Sequence, residues 1–161
     1  MNGLELTSVL TIIAIVGAGL NAGVYLTFST FAMAGLRRLP ESQAAAAMQA
    51  INLEAPTPAF MSIFFGTAVA SIALAALAIV NFDPPASSMA IAGAAAYVST
   101  VVITGIYNVP LNDRLAGVEA ESPEGVATWQ AYQRRWSRGN HVRSLASAAS
   151  AILLTLSLVM G

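Results

Sequence analysis

The chain has 161 residues, of which 57% are hydrophobic and only 9% charged, with a net charge of −1 and no cysteine. Soluble domains carry roughly a quarter charged residues, so this composition belongs to an integral membrane protein of one domain. The missing cysteine excludes disulfide frameworks, thiolate catalysis and Cys-ligated metal or iron–sulfur centres. The near-neutral balance gives no nucleic-acid footprint.

In chain order, the first uncharged run covers residues 6–36. It is too long for a signal peptide and lacks a basic leader, so it predicts a first transmembrane helix. Gly19 and Gly23 form a GxxxG, the spacing that admits a close helix neighbour. Asn21, Tyr25 and Ser29 follow at four-residue steps on one face. An amide at mid-bilayer must be paired, so that face looks into the bundle, as interhelical glue or as a ligand contact.

The stretch PESQAAAAMQAINLEAP after AGLRRLP predicts a short interfacial helix with Ser42 as its cap, running to Asn52. Asn52 and Glu54 then stand at the mouth of a second span over 58–82. A tight hairpin at 81–87 leads to a third span over 86–108, with Tyr97, Thr104 and Asn108 on one face. Pro110 should stop or kink that helix, leaving Asn112 just beyond.

Residues 121–124 give the next segment an acidic start. Val126, Trp129, Tyr132 and Trp136 form an aromatic stripe at helical spacing, expected to anchor an amphipathic helix at the membrane surface. Gly139 and Asn140 read as a helix stop and a cap for a fourth span over 141–160. Without that break, Asn140 and Arg143 would share the face of Trp129 and Trp136, and His141 would point away from it.

The expected fold is therefore all-α: a four-helix transmembrane bundle with amphipathic helices in its two long loops. All seven basic residues are arginines, and all lie within 37–38 or 114–143. The positive-inside rule then puts both long loops in the cytoplasm and both termini outside the cell membrane.

Few chemistries remain. A single histidine without cysteine argues against zinc or a facial triad, and no Glu-x-x-His pattern supports a di-iron bundle. No metal site and no cofactor is expected. A Ser-His-Asp arrangement stays open, although no serine sits in a nucleophile motif. Acid–base chemistry without a cofactor survives: His141 has the side chain suited to a base near neutral pH, and capping is its alternative role. Glu54 is a second candidate base, and Arg143 with the asparagines can hold an oxyanion.

Four segments together, AGLRRLP, NLEAPTPAFM, NVPLNDRL and WSRGNHVRSL, resemble the family of small four-helix membrane proteins that includes the fungal anthrone oxygenases. The most specific parts are NVPLN at 108–112 and WSRGNHVR at 136–143; the latter separates Trp136 from Asn140 more widely than the family pattern does. The resemblance implies oxidation of an activated aromatic methylene by dioxygen. It assigns His141 as base, Asn140 and Arg143 as further catalytic residues, and Asn52, Glu54, Asn108, Asn112, Trp129 and Trp136 as substrate contacts. Expected partners are membrane lipids, a lipophilic aromatic small molecule and a second copy of the chain. A non-enzymatic bundle, a small transporter or scaffold, is the alternative.

Overall fold

A computed structural model of the chain describes residues 3–161. It is all-helical. Helix α1 (Gly3–Thr27) passes through a π-helical turn (Phe28–Ala32) into α2 (Met33–Leu36). Helices α3 (Glu41–Glu54), α4 (Pro58–Val80) and α5 (Ala86–Ile103) follow, then a second π-helical turn (Thr104–Asn108), α6 (Val109–Ala116) and α7 (Pro123–Met160). Among the described residues, four helical stretches are long and apolar enough to cross a membrane: Glu5–Leu36, Pro58–Val80, Ala86–Ala116 and Pro123–Met160.

The distribution of side chains explains why such a bundle needs lipid. In α1 the buried residues include Thr11, Ala14, Gly17, Ala18, Asn21 and Tyr25, whereas Val9, Ile12, Val16 and Leu20 face outward. In α4, Thr67 and Ser71 are buried while Phe65, Val69 and Ile72 are exposed. The exterior is more apolar than the interior, the reverse of a soluble domain. Water would penalise so continuous an apolar surface, and hydrocarbon would not.

Within the bundle the helices approach through small residues. A Cβ at Gly17 would run into the Thr67 hydroxyl of α4, so this glycine sets the α1–α4 contact. Gly19 and Gly23 do not serve that purpose, because a Cβ at either would meet nothing. The GxxxG faces outward and Gly17 takes its place.

Helix starts follow local chemistry. Thr57 accepts a hydrogen bond from the Phe60 amide at 3.2 Å, with Pro58 next to it. Ser122 accepts from the Gly125 amide at 2.9 Å, with Pro123 next; proline at the first helical position loses no bond. Ser42 is not a cap. Helix α3 begins one residue earlier, after an extended Pro40 that contributes no side-chain bond.

Two expected helix stops are absent. Pro110 does not stop the third span. Its ring would collide with the carbonyl four residues back in a regular helix, and the preceding π turn widens the backbone there, with the Val109 amide bonding the Thr104 carbonyl. Nor do Gly139 and Asn140 interrupt α7, which is helical without a break from Pro123 to Met160. One internal glycine costs a helix only about 1 kcal/mol relative to alanine, far less than the packing on either side of it.

The aromatic stripe is also placed differently from a membrane anchor. Trp129, Tyr132 and Trp136 are buried with Met33, Ala44, Ala45, Met48 and Leu115, in a second core at the end of the bundle that carries the two long loops. Helix α3 covers the stripe. The loop end is thus a packed layer of protein that includes the start of α7.

Candidate functional site

The site grows out of the unbroken α7. Because the helix does not bend at Gly139, Trp136, Asn140 and Arg143 lie along one face, and that face points into the bundle. Gly139 is needed for contact rather than for a stop: a Cβ there would sit 2.7 Å from Asn108 Oδ1 and 2.6 Å from Tyr107 Cδ1. The second π turn therefore presses directly on α7.

Arg143 is 6% exposed. Its Nη1 donates to Thr104 Oγ1 at 3.1 Å and its Nη2 donates to Asn140 Oδ1 at 2.9 Å. Neither partner is a carboxylate. The guanidinium carbon lies 4.5 Å from the Tyr25 ring centroid and 5.3 Å from that of Trp136. Such faces stabilise a desolvated cation by about 2 kcal/mol, well short of what full solvation supplies. Among the described residues, Arg143 Nε is buried without a hydrogen-bond partner. The result is a cation retained in a low-dielectric interior with donor capacity unspent.

Asn140 locks this cation in place. Its Nδ2 donates to the Tyr25 carbonyl at 2.7 Å and to Ser29 Oγ at 2.9 Å. Ser29 lies in the first π turn, and Thr104 lies in the second. Both irregular turns therefore face the same short stretch of α7 and supply its polar partners, a placement common for π turns at functional sites.

Asn108 is buried, and its Nδ2 donates to the Trp136 carbonyl at 3.2 Å. Its Oδ1 and the Trp136 Nε1 are both buried without partners among the described residues. Phe28 meets Trp136 edge-on, with ring centroids 5.5 Å apart. Tyr132 stacks between Trp129 and Trp136. Its hydroxyl donates to Asn112 Oδ1 at 2.9 Å and accepts from Asn52 Nδ2 at 3.3 Å. These bonds form a polar tie across α3, α6 and α7, separated from Arg143 by the Trp136 ring.

Of the residues singled out in the sequence, Asn108, Trp136, Asn140 and Arg143 come together. Asn52 and Asn112 meet at Tyr132, with Trp129 behind them. Glu54 is exposed at the end of α3 and His141 is exposed on the outer side of α7. The continuous helix turns the imidazole about 100° away from its neighbour Asn140. Tyr25, Ser29, Thr104 and Tyr132 were not singled out as site residues. Their signal lay in spacing: Tyr25 and Ser29 share a face with Asn21, and Thr104 shares one with Asn108. Asn21 itself donates to the Gly17 carbonyl of its own helix at 2.9 Å, and its Oδ1 is unpartnered; it makes no bond to another helix among the described residues.

The anthrone oxygenase family model matches residues 60–153. The chain belongs to that family. The matched segment carries Thr104, Asn108, Asn112, Trp136, Asn140 and Arg143, whereas Tyr25 and Ser29 lie before it. Comparisons with curated proteins and with solved structures found no match. The shared segment thus contains the cation of the site, and α1 completes the environment around it.

Proposed function

We propose that this anthrone oxygenase family member holds the anion of a lipophilic, anthrone-like aromatic against Arg143 and exposes it to dioxygen, without a bound cofactor. Arg143 carries this reading: a buried cation without a carboxylate partner, held between aromatic rings, with Nε free to donate. An enolate or phenolate supplies the missing negative charge, and Phe28, edge-on to Trp136, supplies an apolar contact for a ring system. Binding the anion more tightly than the neutral form makes the bound methylene more acidic.

The chemistry then belongs mainly to the substrate. The carbanion passes one electron to dioxygen, and the radical and superoxide combine to form a carbon–oxygen bond. The resulting peroxide takes up a proton. Loss of the remaining hydrogen from that carbon, as a proton, breaks the oxygen–oxygen bond and leaves a carbonyl and water. Overall one methylene and one dioxygen become one carbonyl and one water. The membrane concentrates both the aromatic and dioxygen, and the proposed setting is the cell membrane with both long loops cytoplasmic.

Oxygen uptake and quinone formation by the purified protein in detergent, with a simple anthrone, test the proposal. Wild type should exceed the spontaneous rate. Arg143→Lys should retain part of that excess and Arg143→Gln should abolish it, both in protein whose thermal unfolding remains cooperative. Uptake at the spontaneous rate from folded wild type would overturn the proposal.

The saturated hydrogen bonding of Asn140 favours a second reading. Both bonds from its amide nitrogen tie α7 to α1 and the first π turn, as a purely structural polar staple would, and a non-enzymatic scaffold needs nothing more. Under that reading Arg143→Gln lowers folding yield and no anthrone is consumed by any variant.

A further inference from the structure

Away from the Arg143 cluster, α6 and the first half of α7 enclose a cleft of about 350 Å³. Leu111, Val118 and Tyr132 give it apolar walls, and Arg114 and Arg135 face it from the two helices. Both arginines are exposed, and neither makes an ion pair or hydrogen bond among the described residues. Glu124 closes the end farther from the span. The three charged side chains leave a single net positive charge, suited to one monoanion rather than to a polyphosphate.

Depth identifies the source of that anion. Arg114 lies six residues beyond Asn108, and Arg135 lies six residues before His141. The helices continue through 108 and 141, so with the hydrocarbon ending at those residues, at 1.5 Å per residue, each arginine is at most about 9 Å outside it. The headgroup layer extends about 5–7 Å from that boundary, and an arginine stem can reach back over the remaining distance. Both guanidinium groups therefore have access to lipid phosphates. Elsewhere on the loop end, Arg38 and Arg134 are exposed as well but do not line the cleft.

We propose that the α6–α7 cleft binds the headgroup of an anionic phospholipid, with Arg114 and Arg135 on the phosphodiester and Glu124 accepting a hydrogen bond from a headgroup hydroxyl. Phosphate geometry matches the two donor edges that each guanidinium presents. Tyr132 forms the inner wall and belongs to the stack that ends at Trp136, so an occupied cleft stabilises the layer above Arg143. The assignment does not depend on the oxidation proposed above.

The test is lipid binding by the full-length protein in detergent, read as lipid retained in native mass spectrometry and as a shift of the unfolding midpoint. The probes are phosphatidylglycerol, phosphatidylcholine and soluble glycerol 3-phosphate. Phosphatidylglycerol should bind in preference to phosphatidylcholine, and soluble glycerol 3-phosphate should have little effect. The pair Arg114→Gln with Arg135→Gln should weaken phosphatidylglycerol binding by about twenty-five-fold, since each basic side chain at an anionic surface contributes about fivefold. The pair Arg38→Gln with Arg134→Gln removes the same charge outside the cleft and should leave most of the binding intact. Equal loss in the two pairs, equal binding of both lipids, or an effect of glycerol 3-phosphate matching that of the lipid would each overturn the proposal.

Discussion

Arg143 donates from Nη2 to the side-chain oxygen of Asn140, 2.9 Å away and one turn earlier in the same helix. The amide nitrogen of Asn140 is committed to the Tyr25 carbonyl of α1 and to Ser29 of the first π turn, so its oxygen has one fixed direction, toward the guanidinium. An asparagine tied to a neighbouring helix thus sets the position of a buried charge.

Removing that tie should loosen both helices. Asn140→Ala removes the bonds to the Tyr25 carbonyl and Ser29 and leaves one guanidinium donor unsatisfied in the interior, and unsatisfied buried groups cost about 1–3 kcal/mol each. A drop of that order in unfolding free energy, followed in detergent with denaturant, is the expected outcome. An unchanged midpoint would show that the Asn140 bonds do not join α1 to α7.

Gly139→Ala separates two roles for the glycine. Helix propensity alone favours alanine by about 1 kcal/mol. The new methyl, however, would meet Tyr107 and Asn108 well inside van der Waals contact, and overpacking of this kind costs about 1–3 kcal/mol. The variant should therefore be less stable than wild type by thermal unfolding. Stabilisation would mean that α7 and the second π turn are farther apart than described.

His141→Ala should change little. The imidazole is exposed on the outer side of α7, and substitutions at such positions stay within about 0.5 kcal/mol. Anthrone-dependent oxygen uptake should match wild type. Its complete loss with folding intact would restore His141 as the base and remove Arg143 from the centre of the mechanism.

Tyr132→Phe keeps the stacking between Trp129 and Trp136 but deletes the hydroxyl shared by Asn52 and Asn112. The loss should be about 1–2 kcal/mol, the cost of one partly buried hydrogen-bonded node. Asn112→Ala made on top of it should add little, because the two side chains share that node. Full additivity in a double-mutant cycle would contradict the 2.9 Å bond between them.

Much of the fold was legible in the residues alone. Uncharged runs long enough to span hydrocarbon leave a chain few other choices, since every backbone amide and carbonyl must be bonded within its own helix. The clustering of arginines likewise marked which loops belong together, and short motifs at the ends of the spans marked the family. Asn108, Asn140 and Arg143 stood out for a simple reason: polar side chains beside an apolar run are costly without a purpose.

Helix phase could not be read in the same way. Gly139 followed by Asn140 has the local chemistry of a helix end, yet the penalty for continuing is about 1 kcal/mol, and packing of α7 against α1 and α5 overrides it. That continuity turns His141 outward and Arg143 inward. The π turns, the choice of Gly17 over Gly19 and Gly23 for close contact, and the burial of the tryptophan stripe under α3 arise in the same manner. Sequence by itself determined a four-span membrane protein with its arginines at one end, because transfer of charge into hydrocarbon dominates every local preference. Only the tertiary structure decided which polar residues face one another, because those choices rest on differences of about a kilocalorie that neighbouring helices easily outweigh.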